Sequence, residues 1–243
     1  MLLKHCKSRG FITDILMEVP KLQQNSIAND ITDKHNKSIY EKVANDIASK
    51  GYSIVAFALP LELSHGLLEQ VMSISEDDFI EAGIGRQRQH MQNEFVRRDE
   101  ICWINDSSDA SRAWLKWTAD LQTYLNEHLF LGLFSFESHF ARYAAGSFYK
   151  RHMDAFKGEA NRVLSVVAYL NPDWQIDDGG ELVVYRDKAD IDGLKVVPAL
   201  STIAIFLSEE FPHEVLTTQR DRYSIAGWYR LNGSKTSRVD PPR

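Results

Sequence analysis

The sequence predicts a mostly β protein in which a helical N-terminal layer supports a β-sandwich or jelly roll. About eight short apolar runs follow residue 131, and turn residues such as Asn171-Pro172 and Gly179-Gly180 separate them. No long helical pattern occurs after that point, which argues against a parallel α/β fold. Before residue 131, apolar residues recur at helical spacing.

The first half of the chain is predicted to begin with an extension and two helices. Residues 1–35 are polar and weakly periodic, which is typical of a loosely attached segment. Residues 36–50 carry apolar side chains every four residues and end before Gly51, which favours a helix with a glycine at its C-terminus. A buried strand is predicted over Ser53–Leu59, and a second helix over Leu61–Ser73.

A third helix is predicted to begin near Ser108 or Asp109, since either side chain can cap it. The apolar side of this helix comprises Trp114, Trp117, Leu121, Tyr124, Leu125 and His128. Such a stripe is more typical of a core than of a cofactor site. We therefore expect a single domain over residues 36–230, with helical support in 36–130, a β core in 131–230 and a tail at 231–243.

Residues 77–100 have a different composition. They contain two glycines, few β-branched residues and several arginines, among them Arg86, Arg88 and Arg97. We interpret the segment as a long, partly irregular loop or ribbon. Long loops in compact domains are often functional, although a solvated charged loop without a role fits the composition equally well.

Composition and charge exclude several classes of function. The net charge of −6 disfavours a sequence-independent grip on nucleic acid. No stretch approaches about 20 consecutive apolar residues, so no membrane span is expected. The N-terminus has no convincing signal peptide. Two cysteines make no disulfide framework, and a reducing, cytoplasmic setting is the plain interpretation.

The strongest chemical signal is His152-Met153-Asp154 together with His213. Residues two apart on a strand point to the same face, so His152 and Asp154 would project together. His139 and His213 are the other histidines of the strand-rich half, and His213 follows a strand and a turn. Two histidines and one carboxylate form the facial triad of non-haem Fe(II) oxygenases, which leaves positions for a 2-oxo acid and O₂. We assign the triad to His152, Asp154 and His213.

A 2-oxo diacid also needs a partner for its far carboxylate, and arginine pairs with a carboxylate through two parallel hydrogen bonds. Arg222 lies nine residues after His213 and begins a predicted strand. Ser224 shares its face and can add a hydroxyl donor. Arg220 and Arg230 are the competing candidates.

The stretch from about Asp99 to Tyr229 resembles the 2-oxoglutarate- and Fe(II)-dependent prolyl hydroxylases. The likeness is greatest to the Egl-nine type that acts on hypoxia-inducible factor and to its bacterial relatives. Order, spacing and flanking residues agree together. The matching segments are RRDEICWI, ARYAAGSFYKRHMD, VVAYLNPDW, GGELVVY and FPHEVLTTQRDRYSIAGWY.

The resemblance implies a double-stranded β-helix, that is, a jelly-roll or cupin-like core. It implies that Arg222 and Tyr169 bind the distal carboxylate of 2-oxoglutarate, and that Tyr143 lies near its metal-proximal end. Trp228 would form a wall of the substrate pocket. For Tyr169, Tyr143 and Trp228 the alternative is an ordinary core residue. The implied chemistry is hydroxylation of a C–H bond with release of succinate and CO₂, with ascorbate as a possible reductant.

The resemblance implies a prolyl residue of a protein or peptide as the substrate, and elongation factor Tu is a first candidate. The region equivalent to residues 77–100 covers the site in the animal enzymes. Arg86, Arg88 and Arg97 then suggest a substrate with acidic residues nearby. The alternatives are the same chemistry on a free amino acid or another side chain, and a catalytically silent sensor that binds metal or 2-oxoglutarate. Nucleic-acid demethylases carry an arginine where this chain has Trp228, which disfavours that class.

Overall fold

The structure, a computed structural model, describes residues 21–81, 97–155 and 161–232. Contacts between Cα atoms divide the chain between His35 and Asn36, and the architecture given below is that of the second unit. The division of the sequence into an extension, a domain over residues 36–230 and a tail stays a prediction.

The described residues contain three helices and eleven strands. The helices are α1 Lys21–Lys50, α2 Leu61–Ser73 and α3 Asp109–Leu129. The strands are β1 Tyr52–Val55, β2 Ile80–Glu81, β3 Glu100–Trp103, β4 Ser135–Tyr143, β5 Tyr149–His152, β6 Arg162–Tyr169, β7 Leu182–Val184, β8 Leu194–Val196, β9 Ile203–Leu207, β10 His213–Val215 and β11 Arg222–Arg230. None of the described helices combines the length and apolarity that a bilayer crossing requires.

The predicted elements agree with these bounds except for the start of α1, the end of β1, the exposure of His128 and the length of β5, which is described with the site. Helix α1 begins at Lys21 rather than Asn36, because a polar helix leaves no apolar periodicity in the sequence. Strand β1 ends at Val55 instead of Leu59, since Phe57 takes a left-handed conformation with φ of 54°. His128 is exposed on α3 rather than part of its buried side. Ser108 caps α3 as predicted, accepting a hydrogen bond from the Ser111 N–H at 2.9 Å.

The strands form two antiparallel sheets. The large sheet has seven strands in the order β1-β9-β6-β11-β4-β3-β2, and the small sheet has four in the order β5-β10-β7-β8. Strands β4 to β11 correspond one for one to the eight runs predicted after residue 131. The short pair β2 and β3 flanks the segment 82–96, which lies outside the described residues.

The large sheet lies between the helices and the small sheet, with a core on each face. Leu164 and Val166 on β6 and Ile225 on β11 pack with the buried residues of the helices. Ala204 and Phe206 on β9 face the other core, which includes residues of the small sheet. Because side chains alternate along a strand, β4, β6 and β9 each contribute to both cores. The candidate site lies on the second face.

Candidate active site

A cavity of about 380 Å³ lies between the two sheets. The large sheet lines it with alternate residues of β3, β4, β6 and β11, and the small sheet adds residues of β5, β7 and β10. The predicted site residues that line this single cavity are Arg97, Tyr143, His152, Asp154, His213, Arg222, Ser224 and Trp228. Tyr169 lies beside Arg222 and outside the lining. Arg86 and Arg88 lie outside the described residues.

Three of these residues form a cluster that can hold one metal ion. A ligand atom from each of His152, Asp154 and His213 lies within 4.8 Å of the others. The Nε2 atoms of His152 and His213 are 3.7 and 3.5 Å from the Asp154 carboxylate oxygens. His213 and His152 are direct partners across β10 and β5, so the sheet register brings them together. One strand was predicted to carry both His152 and Asp154. The observed strand β5 is shorter, because it ends at His152 and Asp154 follows in a bend.

Hydrogen bonds orient all three ligands. The Nδ1 atoms of His152 and His213 donate to the carbonyl oxygens of Lys150 and Phe211, at 2.9 and 3.0 Å. These bonds fix the tautomer that leaves each Nε2 without a proton and available to a metal. The Ser165 hydroxyl donates to Asp154 Oδ2 at 2.7 Å. The donor set of two imidazoles and one carboxylate fits Fe(II) with open positions.

The protonation states also suit a metal. Burial alone would raise the pKa of Asp154, but the neighbouring histidines and the Ser165 hydrogen bond hold it well below its usual range. Burial lowers the pKa of His213, and this effect outweighs the neighbouring Asp154 carboxylate, which would raise it. The carboxylate is therefore ionised and the imidazole is neutral at pH 7, which are the forms that bind metals.

Arg222 forms an anion-binding end of the same cavity. Its side chain is only 1% exposed, Nε donates to the Gly180 carbonyl at 2.9 Å, and an Nη donates to Ser224 Oγ at 3.0 Å. Within the described residues, no carboxylate lies within ion-pair distance of this guanidinium. A buried cation without a counter-ion is costly, so the arrangement favours binding of an anion.

The local backbone accounts for the position of this arginine. Gly179 and Gly180 take φ values of 65° and 67°, which confirms the predicted tight turn and places the Gly180 carbonyl against Arg222. The Asn171 side chain bonds the backbone N–H and carbonyl of Tyr223 at 2.7 and 2.9 Å. The end of β6 is thereby attached to the start of β11, next to Arg222.

The competing arginines have other partners. Arg220 donates to the Pro172 carbonyl at 2.9 Å, and its guanidinium lies over the Trp174 ring. Arg230 pairs with Glu137 at 3.1 Å. Neither residue lines the cavity.

Two tyrosines pack against the Arg222 guanidinium. Its carbon lies 4.9 Å from the Tyr143 ring centre and 5.2 Å from that of Tyr169. Tyr143 was expected near the metal-proximal end of 2-oxoglutarate, but its ring packs at the Arg222 end, because the register of β4 and β11 pairs Tyr143 with Arg222. The Tyr169 hydroxyl is buried without a hydrogen-bond partner among the described residues. Burial raises the pKa of Tyr169 to about 12, so the phenol keeps its proton and can donate it to an anion beside Arg222.

Arg97 forms contacts that the sequence did not suggest. Its guanidinium donates twice to the buried Asp99 carboxylate, at 2.6 and 2.5 Å, and lies 4.4 Å from the Tyr149 ring centre. Tyr149 in turn stacks on His152, with ring centres 3.6 Å apart. Burial would lower the pKa of Arg97, but the Asp99 carboxylate raises it. Arg97 therefore has its counter-ion within the chain, whereas Arg222 has none among the described residues.

Several site residues were missed by sequence reasoning. Asp99, Tyr149, Arg162 and Ser165 line the cavity, as does Trp103. Asp99 and Trp103 lie in RRDEICWI, one of the segments that resemble the prolyl hydroxylases, so the resemblance could have indicated them. Ser165 and Arg162 carried no local signal, because only the pairing of β6 with β11 brings them to the cavity.

Comparison with known proteins agrees with this geometry. A sequence model of the 2OG-Fe(II) oxygenase superfamily matches residues 138–230. A crystal structure of a prolyl-4-hydroxylase from Pseudomonas putida is 36% identical, with a TM-score of 0.71, over 80% of this chain and 100% of that chain. The chain belongs to the 2-oxoglutarate- and Fe(II)-dependent oxygenases. It is a prolyl-hydroxylase-like dioxygenase of that family, whose cofactor is Fe(II) and whose co-substrates are 2-oxoglutarate and O₂.

A second solved structure supports the fold of this oxygenase. It is a prolyl hydroxylase from Trichoplax adhaerens in complex with a peptide fragment of hypoxia inducible factor. The two chains are 24% identical, with a TM-score of 0.71, over 88% of this chain and 94% of that one. The predicted jelly-roll core is confirmed by these matches.

Proposed function

We propose that this dioxygenase hydroxylates a prolyl residue in a protein or peptide, with Fe(II) bound by His152, Asp154 and His213. The observation that carries the proposal is the buried Arg222, which lies in the same cavity as the three metal-binding side chains and has no carboxylate partner in the part of the chain that the structure describes. The likeness to the Pseudomonas putida prolyl-4-hydroxylase, which extends over that entire chain, supports a prolyl substrate.

Arg222 and Tyr169 hold the co-substrate at its distal carboxylate, and the metal would hold its other end. The Arg222 guanidinium pairs with the distal carboxylate of 2-oxoglutarate, and the Tyr169 hydroxyl donates to the same group. Ser224 keeps the guanidinium in position through their hydrogen bond at 3.0 Å. Tyr143 covers the guanidinium and excludes water from that end of the cavity.

Bound Fe(II) couples the oxidative decarboxylation of 2-oxoglutarate to the transfer of one oxygen atom from O₂ into a C–H bond. The protein residues set the geometry of that reaction. Because His152 and His213 donate Nδ1–H to backbone carbonyls, both Nε2 atoms face the metal position. Ser165 holds the carboxylate of Asp154 in one orientation.

Trp228 and Arg97 both line the cavity in which the target residue of the substrate would bind. Arg97 already pairs with Asp99, so the proposed preference for acidic residues in the substrate rests on the sequence charges of Arg86 and Arg88, which lie outside the described residues. A substrate with acidic residues near the target proline therefore fits best. Elongation factor Tu is the first candidate, and ascorbate is the reductant to include in assays.

The proposal is tested by mass spectrometry of the host proteome with and without this gene. The expected result is a proline that gains the mass of one oxygen atom only when the gene is present. A synthetic peptide around that proline should then stimulate succinate formation from 2-oxoglutarate. An oxygen added instead to a free amino acid or to another side chain would overturn the prolyl assignment and leave the dioxygenase chemistry intact.

A further inference from the structure

Two polar atoms of residues that line the cavity have no hydrogen-bond partner in the described part of the chain. His139 Nδ1 and Trp228 Nε1 are buried without a hydrogen bond to any of the described residues. Buried polar groups in native proteins are nearly always paired, so each exception calls for an explanation, and a bound ligand is one that fits a cavity wall. The Tyr169 hydroxyl, beside Arg222, also lacks a partner among the described residues, and 2-oxoglutarate accounts for it.

His139 lies in the middle of an aromatic group that we call the aromatic end: Trp103, His139 and Trp228. His139 is 4% exposed and lines the cavity. Its ring centre is 5.1 Å from that of Trp103 and 5.5 Å from that of Trp228.

The strand register separates this group from the co-substrate. His139 is paired with Ala226, and Tyr143 with Arg222. Four residues along a strand correspond to about 13 Å. Arg222 binds one end of 2-oxoglutarate, and the metal would bind the other. The co-substrate therefore offers no partner to His139 Nδ1 or Trp228 Nε1.

The chemistry of the two atoms is complementary. The indole N–H of Trp228 can only donate a hydrogen bond, so its partner must be an acceptor. Burial lowers the pKa of His139 to about 4, which leaves a neutral ring with one donor and one acceptor nitrogen at pH 7. A peptide backbone offers both matching groups, a carbonyl oxygen and an amide N–H.

We propose that His139 is a specificity-determining residue that binds the main chain of the peptide substrate. His139 Nδ1 accepts a backbone N–H of the residues that flank the target proline, and Trp228 Nε1 donates to a backbone carbonyl of the same segment. The site thereby selects a peptide over a free amino acid without reading its side chains. This inference rests on the proposed prolyl-peptide substrate and deepens it.

The test uses a library of proline-centred peptides, with binding measured anaerobically on the enzyme loaded with Fe(II) and 2-oxoglutarate. His139→Met keeps the side-chain size and removes the acceptor, so we expect the dissociation constant of the best peptide to rise about tenfold, equivalent to about 1.4 kcal/mol. The KM for 2-oxoglutarate should not change. His139→Asn, which places an amide group near the position of Nδ1, should restore most of the binding. His128→Met, at an exposed histidine, is the matched control.

A second measurement does not depend on a variant. Single N-methylation of the backbone amides that flank the proline should weaken binding to the wild-type enzyme about tenfold at one position. That penalty should vanish in His139→Met, because this variant already lacks the hydrogen bond that N-methylation removes. Wild-type enzyme that tolerates every single N-methylation would overturn the inference, as would peptide binding that is unchanged in His139→Met.

The outcomes also separate the two proposals. Turnover of a library peptide without dependence on His139 would overturn the role of His139 and leave the prolyl hydroxylase assignment standing. If the wild-type enzyme hydroxylates no library peptide but forms succinate with a free amino acid, the proposed substrate class is wrong, and the inference falls with it.

Discussion

The two faces of the large sheet differ sharply although the same strands make both. On the face toward the helices, Leu164 and Val166 of β6 and Ile225 and Tyr229 of β11 are at most 1% exposed. On the opposite face, the neighbouring residues of the same strands include Ser165 and the buried cation of Arg222. The helix-facing side buries apolar side chains. On the cavity-facing side, some buried polar atoms have no hydrogen-bond partner among the described residues.

This difference separates stability from function. The helix-facing side contributes apolar burial, which is the dominant favourable term in folding. Among the described residues, the cavity-facing side keeps a buried guanidinium without a carboxylate partner and several buried polar atoms without hydrogen bonds, which is costly until ligands bind. Substitutions on the first face should therefore lower the free energy of unfolding, and substitutions on the second should lower activity.

Removal of the metal should have the largest effect on the cavity-facing side. We expect a chelator to abolish succinate formation and added Fe(II) to restore it, because the three metal-binding side chains leave the other coordination positions for substrates. The circular dichroism spectrum should keep its β-sheet signal, since both cores are built without the metal. Full activity in excess chelator would show that the cavity-facing side does not work through a metal.

Leu164→Ala should have the largest effect on the helix-facing side. Leu164 is fully buried, and such a truncation lowers the free energy of unfolding by about 2–5 kcal/mol. Urea unfolding measures this change, and the KM for 2-oxoglutarate of the folded protein should stay the same. Leu194→Ala, at a residue that is 41% exposed, should change stability by less than about 0.5 kcal/mol. Equal losses in both variants would mean that the helix-facing core is not where stability resides.

Arg222→Gln should show the reverse pattern. Loss of a hydrogen-bonded charge pair with the distal carboxylate should raise the KM for 2-oxoglutarate about 10- to 150-fold, equivalent to about 1.5–3 kcal/mol. Stability should be unchanged or higher, because an unpaired buried charge is removed. The exposed Arg220→Gln serves as the matched control. An unaltered KM in Arg222→Gln would leave the anion-binding end without a role.

Ser165→Ala should produce a smaller change in metal affinity. The Ser165 hydroxyl orients Asp154 through a hydrogen bond at 2.7 Å, and such indirect contacts are worth about 10-fold or more in metal affinity. Equilibrium dialysis with Fe(II) measures this shift. Ser208→Ala, which removes the 2.9 Å contact to Ser165 alone, should shift the affinity less. The two variants would be indistinguishable if Asp154 needed no such support.

The sequence predicts the elements of this fold better than it predicts their neighbours. Turn residues and alternating apolar runs located all eight strands after residue 131, because both signals are local. The strand for His152 and Asp154 was predicted too long, yet both side chains reach the site through the bend after β5. The start of α1 was misplaced since a polar helix carries no periodic signal.

The missing parts of the site depend on pairing across the sheet. His139 meets Trp103 only because β3 pairs with β4, and Ser165 meets Asp154 only because β6 lies in the large sheet behind the end of β5. Arg97 and Asp99 are close in sequence, so their ion pair is a local feature. The burial of that pair beside Tyr149 and the cavity depends on the whole fold and has no local signal. The register between distant strands is set by the whole fold, so it cannot be predicted from the sequence of either strand alone.

The central claim is that three side chains on the cavity-facing side form one iron site, and Fe(II) binding by equilibrium dialysis under nitrogen tests it most directly. We predict about one equivalent of Fe(II) for the wild type and for the exposed control His128→Ala, as a facial triad binds a single ion. His152→Ala, Asp154→Ala and His213→Ala should each bind almost none at the same concentration and keep the wild-type urea midpoint. Full Fe(II) binding by any of these three variants would contradict the account.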